Sequence, residues 1–339
     1  MKKVYILTLF GANNIGAFLQ AYATKKLIER EGFHALFVSF GGAQGSRTKA
    51  IMKYLKKLEF RKLFFKFNSS KRYSESQKIF ERININDITE DGIYLVGSDE
   101  IWNLGSKSFA HQKEYFGIGL ENKELFSFAS SANNCSLELF KNQDYVIDFS
   151  NFKSLCVRDD KTFEIVKELS NRSSLIVNDP TLIYDALKND KVGCCKEKEF
   201  IMIYSYGFTK LQIRSIKEFA KKKGLKTISV GTYNAWCNKN VVVTPFEFLD
   251  YLDKAKYVIT STFHGCVLSI NFNKQFFVFA NESEKIKSVI NKFLIKDHSD
   301  ISGASIAESF EKPFNYDLIN AIINEDRIKA LDYLKSNLN

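Results

Sequence analysis

Short apolar runs alternate with amphipathic stretches along almost the whole chain, and this alternation limits the possible folds more than any other feature. Val4–Phe10 reads as a buried strand. Asn13-Asn14-Ile15-Gly16 then opens a helix through Ala17–Glu31, whose apolar positions Phe18, Leu19, Tyr22, Leu27 and Ile28 recur at helical spacing. Gly32 closes it and Ala35–Phe40 is the next strand, so the chain begins with a βαβ unit. Further strands are predicted at Gly92–Gly97, Leu125–Ala129, Ser154–Val157, Leu175–Val177, Phe200–Tyr204, Lys226–Val230, Val241–Val243, Tyr257–Thr260 and Gln275–Ala280. Apolar strands without polar alternation fit parallel sheets covered by helices on both faces, and there are too many for one sheet of ordinary size. The expected architecture is α/β with two doubly wound Rossmann-like domains, over 1–187 and 195–315, then a helix over 316–339. The polar stretch Tyr184–Glu199 is the expected linker.

With 45% apolar residues, 3 prolines and 17 glycines in 339 positions, a disordered or fibrous chain is excluded. The net charge of +10 points to an anionic partner, but it is concentrated: Arg47–Arg82 holds 12 basic and three acidic residues. A protein coated for nucleic acid would be basic more widely, so no nucleic-acid partner is expected. Within 47–82, Ile51, Tyr54, Leu55, Leu58 and Phe65, with neighbours Phe60, Leu63, Phe64 and Phe67, interleave with Lys53, Lys56, Lys57, Arg61, Lys62 and Lys66. Such a segment is either a basic amphipathic helix on an anionic membrane surface or an ordinary helix with its apolar face inward.

The apolar run after Met1-Lys2-Lys3 is short and broken at Gly11, so it reads as a strand and not a signal peptide, and no stretch is long enough to span a bilayer. A cytoplasmic protein, peripheral at the inner membrane face through 47–82, is expected. The six cysteines lack C-x-x-C spacing and the four histidines are scattered, which favours neither a disulfide framework nor a metal site.

Four segments carry candidate chemistry. In Gly11-Ala12-Asn13-Asn14-Ile15-Gly16, glycines at a helix start allow either close approach of a ligand or a plain tight turn. In Gly97-Ser98-Asp99-Glu100-Ile101-Trp102-Asn103, Asp99 or Glu100 offers a base or a partner for sugar hydroxyls, and Trp102 a face for a pyranose; an N-cap and a core indole are the alternatives. Arg158, one of nine arginines against 40 lysines, offers a planar fork for a carboxylate or phosphate, or an internal Arg–Asp pair. The strongest segment is Thr260-Ser261-Thr262-Phe263-His264-Gly265, where a hydroxyl-rich strand end meets a histidine at a helix start, as an anion site with a proton-transferring group requires.

Taken in order, Asn14-Ile-Gly-Ala-Phe-Leu-Gln-Ala-Tyr-Ala-Thr24, Gly97–Asn103, Phe128-Ala-Ser-Ser131, Val157-Arg-Asp159, Asn178-Asp-Pro-Thr-Leu182 and Thr260–Gly265 resemble the polysaccharide pyruvyltransferase family. The resemblance implies a GT-B-like fold, two Rossmann-like domains facing across a cleft, and no cofactor. It implies transfer of pyruvate from phosphoenolpyruvate to two hydroxyls of a sugar as a cyclic ketal, in surface or capsular polysaccharide synthesis, with a sugar or lipid-linked oligosaccharide acceptor. Its catalytic residues would be His264 and Asp99. Arg158, Ser261, Thr262, Phe263 and Gly265 would bind the donor, and Asn14, Gly16, Glu100 and Trp102 the acceptor. The chain departs from the family at Thr262, where an arginine is frequent, and at Phe263, where leucine is common. A sugar-nucleotide glycosyltransferase of GT-B fold and a non-catalytic glycan- or anion-binding module are the other expectations.

Overall fold

The computed structural model describes residues 2–11, 13–41, 59–106, 111–280, 283–300 and 306–339. Strands β1 (Lys3–Leu7), β2 (His34–Ser39), β3 (Arg82–Asn84), β4 (Ile93–Val96) and β5 (Glu124–Ser127) form a parallel sheet in the order β3-β2-β1-β4-β5. The interior strand β4 is buried at every residue, as a strand covered on both faces must be. The short pair β6 (Cys156–Val157) and β7 (Leu175–Ile176) extends this unit through bridges from Phe126 to Ser154 and from Ser130 to Val157. A second parallel sheet is built from β8 (Phe200–Tyr204), β9 (Lys226–Val230), β10 (Lys239–Val241), β11 (Tyr257–Thr260), β12 (Phe276–Phe279) and β13 (Ser299–Asp300). Its order is β10-β9-β8-β11-β12-β13.

Both sheets are doubly wound, and each has one point where the strand order reverses: β1/β4 in the first, β8/β11 in the second. Open α/β sheets carry their ligand contacts outside the carboxyl ends of the strands at such points. The turn Gly11–Gly16 follows β1 and Gly97–Asn103 follows β4; Thr260–Gly265 follows β11. Topology alone therefore brings these three motifs to the carboxyl edges of the two sheets.

The two units touch through helix Ile15–Arg30. Phe18 and Tyr22 meet Phe246 of helix Pro245–Lys254 edge-on, with centroids 5.6 and 5.0 Å apart. Such contacts contribute about 0.5–1.5 kcal/mol each beyond area burial. Gly231 lies under Ile15: a Cβ there would fall 2.3 Å from Ile15 Cδ1, and its φ of 69° is one that glycine adopts without strain. The last helix, Tyr316–Leu338, returns to the first unit, where the Tyr333 hydroxyl donates to Ser127 O at 3.0 Å and Arg327 donates to Leu182 O and Ile183 O.

Some details differ from the sequence reading. The edge strands β3 and β13 were not expected, because with three and two residues they have no apolar run to reveal them. The strand expected at Val241–Val243 lies at Lys239–Val241, since Thr244 caps the helix that starts at Pro245. The polar stretch Tyr184–Glu199 is anchored: the Asp250 carboxylate accepts from the amides of Val192, Gly193 and Cys194 at 2.9, 2.9 and 2.7 Å. Of the basic segment 47–82, residues 47–58 lie outside the described residues, and the helix Phe60–Ser76 belongs to the rest.

Candidate active site

Helix Phe263–Asn271 starts where it does because Thr262 caps it, its Oγ1 accepting from Gly265 N at 2.9 Å. Thr260 Oγ1 donates to Tyr204 O at 2.7 Å, which ties β11 to β8 at the reversal point. Gly265 is required by this packing, since a Cβ there would sit 2.1 Å from Thr260 Oγ1. The tight turn directs His264 toward the first unit. There Gly16 makes room for it: a Cβ on Gly16 would overlap the imidazole, 2.1 Å from both Cγ and Nδ1. Glycine at the start of the first helix thus admits a side chain of the other unit.

On the first unit, the Asp99 backbone is in the left-handed region at φ 74°. The Gly97–Asp99 turn is fixed by a buried network in which Thr8 Oγ1 donates to Ser98 O at 2.9 Å. Gln20 Nε2 donates to Leu9 O at 3.1 Å, and the Ser98 hydroxyl donates to the Gln20 carbonyl. Arg158 extends from the end of β6 into the same place. Its Nη1 donates to Asp179 Oδ2 at 2.8 Å, both terminal nitrogens lie 3.5 Å from Asp99 Oδ1, and its guanidinium carbon is 4.5 Å from the Phe263 ring centroid. Asp179 caps the short helix Pro180–Ile183, with Oδ1 accepting from Thr181 N at 3.0 Å and Thr181 Oγ1 at 2.7 Å. Its Oδ2 is left for Arg158 and for His264, whose Nε2 is 3.6 Å away, longer than a hydrogen bond but within ion-pair range for a protonated ring.

Burial works against charge on both partners. It would raise the Asp179 carboxyl, yet His264, Arg158 and Thr181 hold it well below the usual carboxylate range. Burial would likewise favour neutral Arg158, but Asp99, Asp179, Glu100 and Asp159 keep the guanidinium charged. The result is a buried charged cluster in which one arginine faces several carboxylates.

A second cation comes from the other unit. Lys285, on helix Glu284–Lys292, pairs with Glu100 and stands 5.4 Å from the Phe263 ring centroid. Glu100 also accepts from Asn103 Nδ2 at 2.8 Å and Asn133 Nδ2 at 2.7 Å. Burial would raise its carboxyl, but chiefly Lys285 holds it down at about 2. Arg158, Asn178, Asp179, Phe263, Lys285 and Ser288 line a water-sized cavity of about 20 Å³. It adjoins, across Lys285 and Ser288, an open cleft of about 230 Å³ that Lys161 and Lys287 also line. That is room for a small anion and not for a drug-sized ligand.

His264, Asp99, Arg158, Phe263 and Glu100 therefore come together. Gly16 lies against the His264 ring, while Trp102, Thr262, Ser261 and Asn14 have different surroundings. Trp102 corrects the expectation of a sugar platform: it is fully buried against Phe149 and Phe152, and its Nε1 donates to Tyr115 O at 2.7 Å. Thr262 spends its hydroxyl on the helix cap, Ser261 Oγ lies 2.6 Å from Ser205 Oγ, and Asn14 Oδ1 accepts from Ala17 N at 3.2 Å. The helix start expected to hold an anion is thus partly satisfied by its own cap. Asp179 and Lys285 were not among the sequence candidates. Asp179 was visible inside Asn178-Asp-Pro-Thr-Leu182, whereas Lys285 sits in a helix with no motif to single it out. Among the described residues no group of three or more His, Cys, Asp or Glu side chains is arranged to hold a metal ion.

Two parallel, doubly wound sheets with a charged cluster between their reversal points define a pair of Rossmann-like units of the GT-B kind. Solved structures share this fold. UDP-GlcNAc 2-epimerase from Neisseria meningitidis bound to UDP-GlcNAc aligns over 100% of this chain and 99% of its own at 10% identity, with a TM-score of 0.55. The Methanocaldococcus jannaschii UDP-GlcNAc 2-epimerase aligns over 98% and 100% at 8% identity, with a TM-score of 0.53. At such identities the likeness concerns the fold alone. A search of curated proteins finds no match. The family model for polysaccharide pyruvyl transferase matches residues 14–283, and the chain belongs to that family.

Proposed function

We propose that the protein transfers the pyruvyl carbons of phosphoenolpyruvate to two hydroxyls of a saccharide, giving a cyclic ketal and free phosphate, in the assembly of a surface polysaccharide. Family membership supports the transfer. The observation that carries the reading to residues is the approach of two side chains of one unit to the other: His264 to Asp179, which holds Arg158 beside Asp99, and Lys285 to Glu100.

The donor has two anionic groups, a carboxylate and a phosphate, and needs two cations of different origin. Arg158 and Lys285 answer to them. The 3.5 Å contacts of Arg158 with Asp99 are the longer ones and yield to a donor anion first, while the 2.8 Å contact with Asp179 holds the fork in place. His264, oriented by Asp179, delivers a proton to the methylene carbon. The neighbouring carbon becomes electron-poor, and one sugar hydroxyl adds to it as Asp99 takes its proton. Phosphate then leaves with the electron pair of the carbon–oxygen bond, and the second hydroxyl closes the ring and loses its proton to the phosphate. Two hydroxyl protons leave the acceptor, one to Asp99 and one to phosphate; exchange with solvent then returns the Asp99 proton and restores that of His264, so the net gain is one proton on carbon and one on phosphate.

The test is phosphate release from phosphoenolpyruvate over a panel of galactose- and mannosamine-type acceptors. Turnover that falls at least about a hundredfold in His264→Ala is expected. No turnover across the panel, with tight UDP-sugar binding indifferent to phosphoenolpyruvate, would replace this reading with a sugar-nucleotide transferase.

A further inference from the structure

Helix Phe60–Ser76 presents a face that takes no part in the charged cluster around Arg158. Phe60, Phe64 and Phe67 are 57%, 68% and 70% exposed, and with exposed Lys71 they follow one another at intervals of four, three and four residues. That spacing makes one stripe along an α-helix. The opposite side fastens the helix to the protein. Phe65 and Tyr73 are buried, the Phe65 ring is 5.6 Å from Tyr233, and Arg72 pairs with Glu247 and donates to Val242 O at 3.2 Å. Just after the helix, Gln77 Nε2 donates to Gly11 O at 3.0 Å, in the turn that precedes Gly16.

The helix bears five basic residues, Arg61, Lys62, Lys66, Lys71 and Arg72, against the single acid Glu75. This charge selects the occupant of the stripe. A second copy would bring the same positive helix and be repelled, and a neutral apolar protein face would have to desolvate the cations beside the rings. At a bilayer interface, by contrast, rings enter the acyl boundary while basic side chains reach lipid phosphates. We propose that helix Phe60–Ser76 docks the protein on an anionic phospholipid surface, with Phe60, Phe64 and Phe67 inserted and Arg61 and Lys71 on the headgroups. Among the described residues no helix is long and apolar enough to cross a membrane, so this attachment is peripheral. The proposal is independent of the donor and the chemistry.

The experiment is co-sedimentation of the full-length chain with vesicles of phosphatidylcholine alone or mixed with phosphatidylglycerol. It compares wild type, Phe60→Ser/Phe64→Ser/Phe67→Ser and Arg61→Glu/Lys71→Glu. Binding about tenfold or more stronger to the anionic vesicles, and lost by about tenfold in either variant at unchanged melting temperature, is expected. Equal binding of wild type to both vesicle types, or full retention by a folded variant, overturns the proposal. Should the triple variant not fold, the charge-reversal variant decides. Absent vesicle binding together with a dimer that the variants dissociate in sedimentation velocity overturns it in favour of a self-association face, and salt-sensitive capture of single-stranded oligonucleotides without vesicle binding overturns it in favour of nucleic acid.

Discussion

Arg158 and the helix Phe60–Ser76 carry positive charge in opposite settings. The Arg158 side chain is 3% exposed and held against Asp179 and Asp99, whereas Arg61 and Lys71 stand in solvent beside exposed rings. A buried ion is expensive to dehydrate, so it persists only with partners fixed around it, and removing one partner exposes the full cost. An exposed cation keeps its water and matters to a distant surface only in company. The first arrangement forms a site; the second forms a field.

The largest effect that can break this contrast is at Asp179. Asp179→Ala removes the 2.8 Å partner of Arg158 and the carboxylate facing His264, and destabilisation of about 3–5 kcal/mol is expected from breaking a buried pair. Denaturant unfolding measures it. A loss below 1 kcal/mol would mean that water reaches Arg158 and that the cluster is as solvated as the helix.

Gly16→Ala comes next and separates geometry from charge. The new Cβ would overlap the His264 ring, so the ring must move while every ionisable group is kept. A displacement of about 1 Å at a reacting group costs on the order of a hundredfold in rate. A fall of that size in kcat, with the KM for phosphoenolpyruvate little changed, is the expected split. An equal fall in a Gly11→Ala control, where a Cβ meets nothing within 4 Å, would show that the turn and not the histidine is at stake.

Acid sharpens the comparison by titrating buried groups of opposite kind. His298, stacked on Phe314 at 3.6 Å, is pushed down to about 4 by burial. The unfolded chain then binds the extra proton first, so stability falls as pH drops from about 6.5 to 4. Glu100, held at about 2 chiefly by Lys285 against burial, contributes stability above the unfolded value near 4.3 that is lost as pH falls toward 2. Unfolding free energies measured between pH 7 and pH 2 are therefore expected to decline in two successive stages. His298→Gln should remove the upper one, and Glu100→Gln should shrink the lower, to which the low-held Asp179 carboxyl also contributes.

The two regions were legible in the sequence to different degrees, for physical reasons. Strands such as Phe200–Tyr204 and Tyr257–Thr260 were read to the residue, because full burial leaves an unbroken apolar run between polar ends. His264 and Asp99 stood out as candidates because they follow β11 and β4 at reversal points, and Arg158 because it follows β6 as one of only nine arginines. Trp102 misled, since an indole beside two carboxylates looks the same whether it faces a sugar or the core. The partnership of Gly16 with His264 spans the two sheets, and no local pattern encodes such a contact. Lys285 was hidden among many lysines whose helices look solvated until the fold turns one of them inward.

The smallest expected effect is at Phe64, and it tests the contrast from its outer side. In the folded protein in water this ring is 68% exposed, so Phe64→Ser gives up little buried area. A core phenylalanine truncated to a small residue costs about 3–5 kcal/mol, while a surface substitution away from special features stays within about 0.5 kcal/mol. The variant should therefore unfold at the wild-type denaturant midpoint and turn over a soluble acceptor at the wild-type rate, since the Phe64 ring is exposed while Phe65 and Tyr73 join the helix to the protein. A destabilisation above 2 kcal/mol would show that the ring is covered within the protein, and the stripe would then be part of the core and unavailable to any surface outside it.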